Sequence, residues 1–231
     1  IGRALAEGYA AAGAKVVVAS RKPEGCAETE RHLRGMGAEA LGVPTHLGDL
    51  DALRDLVQKT VDAFGAVDVV VNNAGVENMN LVEDMPLRDW RQVMSVNCDG
   101  VFLGVKHAIR AMKPGGISGR GGSIINMASI CAMVALRGAG VYSAAKAAIT
   151  NLTKIAAVEC GQNGYGIRVN SIHPGVILTD LTRAGMEDSV RKGLFKSTAE
   201  AQAAYAGMHP IGHLGEPQDI AHAVLYLASD A

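Results

Sequence analysis

The chain has 231 residues, of which 48% are hydrophobic, and its 22 basic and 23 acidic side chains nearly cancel. That balance excludes the large basic surface that binds nucleic acid or an anionic membrane, and it points to a small-molecule partner. No apolar run approaches the roughly 20 residues that cross a bilayer, no signal peptide is visible at the start, and we predict one soluble domain over residues 1–231.

Short β-branched segments alternate along the chain with stretches of helical periodicity. The predicted strands are KVVVAS at 15–20, ALGVPT at 40–45, VDVVVNN at 67–73, GSIINMAS at 122–129 and GIRVNSI at 166–172. The predicted helices cover 2–12, 23–35, 49–64, 87–112, 140–160 and 217–228. Several strands show no polar alternation, which is typical of a sheet that helices cover on both faces. The sequence therefore predicts an α/β fold with a doubly wound parallel sheet of the Rossmann type, in three αβα layers.

The start and the end of the chain differ from a complete fold of this kind. The chain opens directly in the helix 2–12, with no strand before it. In a dinucleotide-binding half, a strand and a glycine-rich turn come first, and the amides of that turn receive the pyrophosphate. We expect Ile1 and Gly2 to be the tail of the turn, and we expect the first and last strands of the sheet to be missing from this chain.

The helix predicted at 140–160 carries Tyr142 and Lys146 four residues apart. At this spacing the two side chains share one helical face, where an ammonium would lower the pKa of the phenol toward the pH at which a general acid/base works best. The alternative is an amphipathic helix with a partly buried Tyr and a solvated Lys.

The cysteines are dispersed, with no CxxC pair and no histidine at metal-ligand spacing; they are Cys26, Cys98, Cys131 and Cys160. This dispersal favours free thiols in a reducing cytoplasm over disulfides or zinc, and no metal site is expected. His173, which directly precedes Pro174, is interpreted as a loop or strand-end residue rather than a ligand.

Several short motifs follow one another in a fixed order. They are Ile1-Gly2, NNAG at 72–75, SVNCDGVF around Asn97, NMAS ending in Ser129, YSAAK from Tyr142 to Lys146, and HPGVILT at 173–179. Each motif alone is weakly specific, whereas the ordered set, with thirteen residues from Ser129 to Tyr142, is highly specific. By these motifs the chain resembles the short-chain dehydrogenases/reductases over essentially its whole length.

The resemblance implies hydride transfer between a nicotinamide cofactor and a carbonyl carbon, without a metal. Tyr142 would exchange a proton with the substrate oxygen, which the Ser129 hydroxyl would hold and polarise. Lys146 would lower the pKa of Tyr142 and bind the nicotinamide ribose, and Asn97 would hold a water that connects Lys146 to solvent. In isolation, Ser129 would be interpreted as a turn cap and Asn97 as a helix-kink residue.

The end of the first predicted strand favours NADP(H), with NAD as the alternative. Members that prefer NAD place a carboxylate there, whereas this chain has Ser20 followed by Arg21 and Lys22, which offer hydrogen bonds and charge to a 2′-phosphate. The alternative interpretation is that the two cations are solvated loop residues. The resemblance implies further cofactor contacts by Ile1, Gly2, Leu47, Asn73, Ala74, Gly75, Tyr142, Lys146, Pro174, Gly175, Ile177 and Thr179.

Two departures from the family pattern concern the cofactor. Where many members have Asp-Val against the adenine, this chain has His46-Leu47. In the family the first strand is central, and without it the strand 15–20 has no neighbour on the side that faces 67–73. We therefore expect the chain by itself to be poorly stable and to bind the cofactor weakly.

Substrate specificity is expected to come from the loop at about 180–207. The side chains of a mostly apolar wall there would be Leu181, Met186, Leu194, Phe195 and Met208. The alternative is that these residues pack a lid helix or a subunit contact.

We predict an NADP(H)-dependent oxidoreductase that interconverts a ketone and a secondary alcohol, as 3-oxoacyl and carbonyl reductases do. One alternative is an NAD-dependent cyclic alcohol or hydroxysteroid dehydrogenase. Another is a catalytically silent dinucleotide-binding protein on the same fold, which the joint presence of the four reactive residues disfavours. The family's usual assembly, a homotetramer or dimer through the helices 87–112 and 140–160, is compatible with the sequence.

Overall fold

The computed structural model of the protein describes residues 1–230 and confirms the predicted parallel α/β architecture. Its strands are β1 Val16–Ser20, β2 Ala40–Pro44, β3 Val69–Asn72, β4 Gly122–Met127 and β5 Ile167–Ile172. Every pair of neighbouring strands is parallel. Each strand lies within a segment predicted from its β-branched residues.

The helices that the sequence predicts are present within two residues of their predicted bounds, and the region predicted as a loop at 180–207 contains two further helices. The helices are α1 Gly2–Ala11, α2 Pro23–Gly35, α3 Leu50–Phe64, α4 Leu87–Met94, α5 Gly100–Met112, α6 Gly140–Gln162, α7 Asp180–Arg191, α8 Thr198–Gly207 and α9 Pro217–Ala228. A π-helical turn, Ser95–Asp99, joins α4 to α5 inside the helix predicted at 87–112. None of the helices in the described residues combines the length and the apolarity needed to cross a bilayer.

The strands form two separate sheets. β1 pairs with β2, and β4 lies between β3 and β5. Among the described residues, β1 has no strand partner on its second edge, as predicted for the side that faces β3. Helix α1 packs against both sheets. Its Ala6 packs on the β1 side, and its Leu5 packs on the β4 side.

Neighbouring residues of β4 face opposite sides of their sheet. Ile124 packs with residues of α5 and α6, such as Ile149, whereas Ile125 packs with Leu5 of α1 and Val224 of α9. Both isoleucines are fully buried. Since different helices cover the two apolar faces, the three-layer αβα prediction is confirmed.

A buried polar chain ties the sheet to the helices beneath the strand ends. Asn72 Nδ2 donates to Asn126 Oδ1 at 2.8 Å, and Asn126 Nδ2 donates to Thr153 Oγ1 of α6 at 2.9 Å. At Gly104 of α5, an added Cβ would overlap the Asn72 amide, so only glycine permits this approach. The network fixes β3, β4, α5 and α6 in one arrangement, from which the loops at the carboxyl ends of the strands emerge.

Candidate active site

Ser129 lies where the chain leaves β4. It caps a short 3₁₀ turn, Ile130–Ala132, and its Oγ accepts a hydrogen bond from the Cys131 amide at 3.2 Å. The residue is only 6% exposed. The turn-cap interpretation is therefore correct, and since the hydroxyl is used there as an acceptor, its hydrogen is available to a ligand.

Tyr142 and Lys146 lie on one face of α6, as their spacing predicts. The Lys146 Nζ is 5.5 Å from the centre of the Tyr142 ring. It also donates a 2.7 Å hydrogen bond to the Met127 carbonyl at the end of β4, and the residue is 2% exposed. The alternative of a solvated Lys is therefore wrong, and both side chains lie at the end of β4 next to Ser129.

Burial dominates the proton affinities of this pair. Removal from water raises the pKa of Tyr142 well above its usual range; the negative charge of Glu77 acts in the same direction and the Ser129 hydroxyl opposes it. Burial also lowers the pKa of Lys146 to about 8. The expectation that Lys146 holds the pKa of Tyr142 down is not met in this structure, because burial of the phenol is the largest influence on that pKa. Tyr142 is held as a phenol, the form that donates a proton.

Asn97 is fully buried in the π-helical turn. Its Oδ1 accepts from the Val76 amide at 2.8 Å, and its Nδ2 donates to the Val76 carbonyl at 2.7 Å. A Cβ added at Gly75 would lie 3.2 Å from Asn97 Oδ1 and 3.5 Å from Lys146 Nζ. Asn97 and Lys146 therefore meet at the backbone of the NNAG segment, which the Asn97 side chain holds in place. The water-binding role of Asn97 stays a prediction.

The N-terminus of α1 fits the pyrophosphate of a dinucleotide. The helix begins at Gly2, Ile1 is its N-cap, and no side chain caps its first amides. Such amides, at the positive end of the helix dipole, attract phosphate. A Cβ at Gly2 would lie 2.8 Å from Asn73 Nδ2, so the start of α1 lies directly against the Asn73 side chain of the segment after β3.

The end of β1 fits a further phosphate group. Ser20, Arg21 and Lys22 are exposed there, and the Ser20 Oγ accepts from the Lys22 amide at 3.3 Å. Within residues 1–230, no carboxylate forms an ion pair with either cation. Two unpaired cations beside a hydroxyl suit a 2′-phosphate, as the sequence predicts.

The remaining predicted cofactor contacts lie at two other strand ends. Leu47, after β2, packs against Gly100, where an added Cβ would lie 3.3 Å from the Leu47 Cβ. Ala74, after β3, is exposed between Asn73 and Gly75. Both positions lie at the carboxyl ends of their strands, as the predicted cofactor contacts at the ends of β1 and β5 do. The predicted contact of Leu47 with the adenine stays a prediction.

The segment after β5 joins the catalytic turn to α7. The Pro174 carbonyl accepts from the Ile130 amide at 2.9 Å, next to Ser129. Ile177 is buried and pairs with Gly215. Thr179 caps α7, its Oγ1 accepting from the Thr182 amide at 3.3 Å.

The remaining member of this segment, Gly175, lies against a histidine of the chain's later part. A Cβ at Gly175 would lie 2.5 Å from His209 Nε2, which accepts a hydrogen bond from the Val176 amide at 3.0 Å. The four predicted cofactor contacts Pro174, Gly175, Ile177 and Thr179 thus lie in one segment between Ser129 and α7.

His173 has a contact that its sequence position did not reveal. As predicted, it directly follows a strand, β5. Its Nδ1 is 3.1 Å from the Ser129 carbonyl, and its Nε2 is 3.0 Å from Ser171 Oγ. Because a carbonyl only accepts, the Nδ1 carries the proton and the Ser171 hydroxyl donates to Nε2. His173 therefore holds the backbone of Ser129.

The region predicted as a loop at 180–207 contains α7 and α8, which we call the cover. The predicted apolar wall is only partly correct. Met186 and Phe195 pack inside the cover with Tyr205, whereas Leu181 and Met208 are 44% and 59% exposed. The alternative of a packed lid helix therefore describes Met186 and Phe195 better than a substrate wall does.

Glu77, two residues after the NNAG motif, is a second residue that the sequence reasoning missed. It is half-buried, and a Cβ added at Gly185 of α7 would lie 3.1 Å from its Oε2. Burial and the charge of Asp188 raise its pKa to about 7. An acidic residue directly after a glycine motif at a strand end was the available signal.

Comparisons with known proteins agree with this geometry. A family model described as enoyl-(acyl carrier protein) reductase matches residues 1–231. The NADP-dependent (R)-specific alcohol dehydrogenase of Lentilactobacillus kefiri is 38% identical over 230 residues, which are 100% of this chain and 85% of that protein. The cis-4-hydroxycyclohexanecarboxylate dehydrogenase of Sinomonas cyclohexanicum is 38% identical over 232 residues, with 100% and 86% covered. The crystal structure of a short-chain type dehydrogenase/reductase from Mycobacterium marinum superposes with a TM-score of 0.86 at 33% identity, covering 99% of this chain and 84% of that one.

Proposed function

The chain belongs to the short-chain dehydrogenase/reductase family of NAD(P)-dependent oxidoreductases, and from this membership we propose that it interconverts a ketone and a secondary alcohol with NADP(H). It is an enzyme, so the silent dinucleotide-binding alternative is set aside. The observation that carries the proposal is the group of Ser129, Tyr142 and Lys146 at the end of β4, in which Ser129 and Lys146 are buried and Lys146 Nζ is 5.5 Å from the Tyr142 ring.

In this proposal, reduction of the ketone begins with Tyr142 as a neutral phenol, the protonation state that burial favours. Ser129 donates a hydrogen bond to the substrate carbonyl oxygen and polarises it. The Tyr142 phenol, whose pKa is raised, gives its proton to that oxygen as the carbonyl carbon receives a hydride. One proton and one hydride convert the ketone to the alcohol, and Tyr142 regains its proton from solvent.

NADP(H) supplies the hydride for reduction or takes it up in oxidation. The residues proposed to hold its pyrophosphate are Ile1 and Gly2 at the start of α1, and those proposed for the 2′-phosphate are Ser20, Arg21 and Lys22. The remaining residues proposed to contact it are Leu47, Asn73, Ala74, Gly75, Tyr142, Lys146, Pro174, Gly175, Ile177 and Thr179. The NADP dependence of the Lentilactobacillus relative supports this choice over NAD.

A second candidate is an NAD-dependent dehydrogenase of cyclic alcohols. The name of the Sinomonas relative, a dehydrogenase of a hydroxycyclohexane acid, favours it. This candidate would use the same residues to oxidise an alcohol. It differs from the first in using NAD and in acting on a substrate with a ring.

Assembly and location are proposed on separate grounds. Apolar side chains on α5 and α6 are about half exposed, namely Phe102 at 47%, Ile155 at 52% and Val158 at 54%. They support a homo-oligomer, dimer or tetramer, that pairs these helices between subunits. The four free cysteines support a reducing cytoplasmic location.

The proposal is tested by initial rates on a panel of ketones with NADPH and NADH. We expect NADPH to be preferred and the double variant Arg21→Ala/Lys22→Ala to lose about tenfold of that preference. Arg31→Ala, an exposed cation on α2, is the control and should keep it. No turnover of any ketone or secondary alcohol with either cofactor would contradict the proposed function, and an equal or greater rate with NADH would favour the second candidate.

A further inference from the structure

The loop that carries Glu77 is held rigidly against the catalytic residues. Both polar groups of the Val76 backbone bind the Asn97 side chain, at 2.8 and 2.7 Å. Three residues after Glu77, the Asn80 amide donates to the Gly138 carbonyl at 2.8 Å, just before the start of α6. With anchors on both sides, the position of the Glu77 side chain is set by the fold.

The carboxyl group of Glu77 lies between the catalytic residues and the cover. Its Oε2, Cδ and Oε1 would lie 3.1, 3.5 and 3.7 Å from a Cβ at Gly185, so it contacts the middle of α7 at a residue without a side chain. On its other side, Glu77 follows Gly75 by two residues, and a Cβ at Gly75 would lie 3.5 Å from Lys146 Nζ; the charge of Glu77 also raises the pKa of Tyr142. The same charge acts on Cys131 and on Tyr205 of α8.

Within residues 1–230, the Glu77 carboxylate accepts no hydrogen bond and forms no ion pair, although cations are close by. Lys192 bonds Asp188 Oδ2 at 2.8 Å, and Arg191 bonds Asp188 Oδ1 at 2.9 Å, so these two cations at the end of α7 pair with Asp188. Lys146 is engaged by the Met127 carbonyl. Burial makes the charged form of the Glu77 carboxyl less favourable than in water, and a ligand that brings a donor adds a hydrogen bond that the fold does not supply.

We propose that Glu77 determines substrate specificity by accepting a hydrogen bond from a hydroxyl group of the substrate, so that the preferred substrates are hydroxylated ketones and their diols. This inference rests on the proposed oxidoreductase function and narrows its substrate class. Glu77 and Asp188 together disfavour a substrate carboxylate at this position by like-charge repulsion. The cover supports the same conclusion. Its large apolar side chains Met186 and Phe195 pack in one cluster inside the cover, whereas the polar Glu77 side chain contacts α7 at Gly185.

The test compares cyclohexanone with its 2-, 3- and 4-hydroxy derivatives, using NADPH and the full chain. We expect at least one hydroxyketone to exceed cyclohexanone by about tenfold or more in kcat/KM, as a hydrogen bond to a charged acceptor provides. In Glu77→Leu that ratio should fall to about one. Glu77→Gln, which keeps an acceptor oxygen in the same shape, should keep part of it. Glu187→Gln, an exposed carboxyl on α7, is the matched control and should keep the full ratio.

The outcomes separate this inference from the function on which it rests. If wild type reduces none of these ketones or any other, the oxidoreductase proposal fails. If wild type reduces cyclohexanone as fast as or faster than every hydroxyketone, the Glu77 proposal alone is overturned, and no variant is needed to conclude this. An undiminished ratio in Glu77→Leu, with a cooperative melting transition like that of wild type, overturns it as well.

Discussion

The catalytic floor, formed by β4, the turn that begins at Ser129 and α6, differs from the cover in how its polar groups are held. In the floor, Lys146 and Asn126 are buried and bonded to other groups of the fold. Beneath the cover, the Glu77 carboxyl has no hydrogen-bond or ion-pair partner in the described chain, and Lys192 ties the end of α7 to the loop that carries Glu77. We infer from this contrast that the reacting groups are fixed before substrate binds. The surface proposed to contact the rest of the substrate has a hydrogen-bond acceptor that no group of the fold uses.

The largest effect is expected from removing the charge at the centre of the floor. Lys146→Met takes away the ammonium beside Tyr142 and leaves the Met127 carbonyl without its donor. We expect kcat to fall by about 100-fold or more, measured by steady-state ketone reduction. Lys154→Met, an exposed lysine on the same helix, should change kcat less than about twofold. Equal losses in both variants would contradict the special position of Lys146.

The second effect tests whether the floor is preassembled through the NNAG segment. Asn97→Ala leaves the amide and carbonyl of Val76 without partners in a buried place. We expect the free energy of unfolding to fall by about 2–4 kcal/mol in urea denaturation. Asn151→Ala, exposed on α6, should cost less than about 0.5 kcal/mol. If Asn97→Ala lowers the free energy of unfolding no more than Asn151→Ala does, the two hydrogen bonds between Asn97 and Val76 do not stabilise the fold.

The floor is also the part that the sequence predicts well. Its strand contains a pair of β-branched residues just after two glycines, and its helix places Tyr142 and Lys146 one turn apart. Both features are local properties of the chain. The proton affinity of Tyr142 is not local. It depends on the burial of the phenol and on the charge of Glu77, which the four-residue spacing does not report, and for this reason the direction of its pKa differs from the predicted one.

The cover was predicted as a loop because its helices carry weak local signals. α7 contains Gly185 in its middle, and half of the residues of α8, TAEAQAAYAG, are alanine. Its few large side chains, such as Met186 and Tyr205, acquire a partner only when the two helices pack together. The π-helical turn at Asn97 was missed for a related reason, since its residues have the same pattern as the α-helix around them.

The third prediction concerns the pH dependence of stability at the boundary between floor and cover. The pKa of Glu77 is about 7 in the folded protein, above its ordinary value of 4.5. The unfolded chain therefore loses this proton first as pH rises, so a destabilising contribution is absent below pH 4.5, grows between 4.5 and 7, and is complete above 7. Glu77→Gln removes it.

We expect Glu77→Gln to be about 1 kcal/mol more stable than wild type at pH 8, reduced from the full linkage value by partial solvent access, and equal to it at pH 4. Thermal melts at the two pH values measure the difference, with Glu187→Gln as the exposed control. A Glu77→Gln variant that is less stable than wild type at pH 8 would mean that the carboxylate has a donor after all.

The smallest effect on activity is expected from removing the Lys192 side chain, which holds the cover to the loop of Glu77. Lys192 Nζ bonds Asp188 at 2.8 Å, Asn78 Oδ1 at 3.2 Å and the Met79 carbonyl, and it thereby ties α7 to the loop of Glu77. Lys192→Met should raise KM by about threefold with a smaller change in kcat, since chemistry stays in the floor. Lys196→Met, beyond the end of α7, should leave both unchanged. A larger fall in kcat than in substrate affinity would show that the cover also orders the reacting groups.

The most direct test of the floor as the site of reaction follows deuterium from NADPH labelled at C4 of the nicotinamide to the product. We expect wild type to place the label on the carbinol carbon of the alcohol formed from a ketone. Tyr142→Phe, which keeps the ring and loses the proton donor, should bind NADPH with similar affinity and transfer label at least about 100-fold more slowly. Transfer by Tyr142→Phe at the wild-type rate, or label that fails to reach the carbinol carbon in wild type, would contradict the assignment of Tyr142 as the proton donor in a hydride transfer.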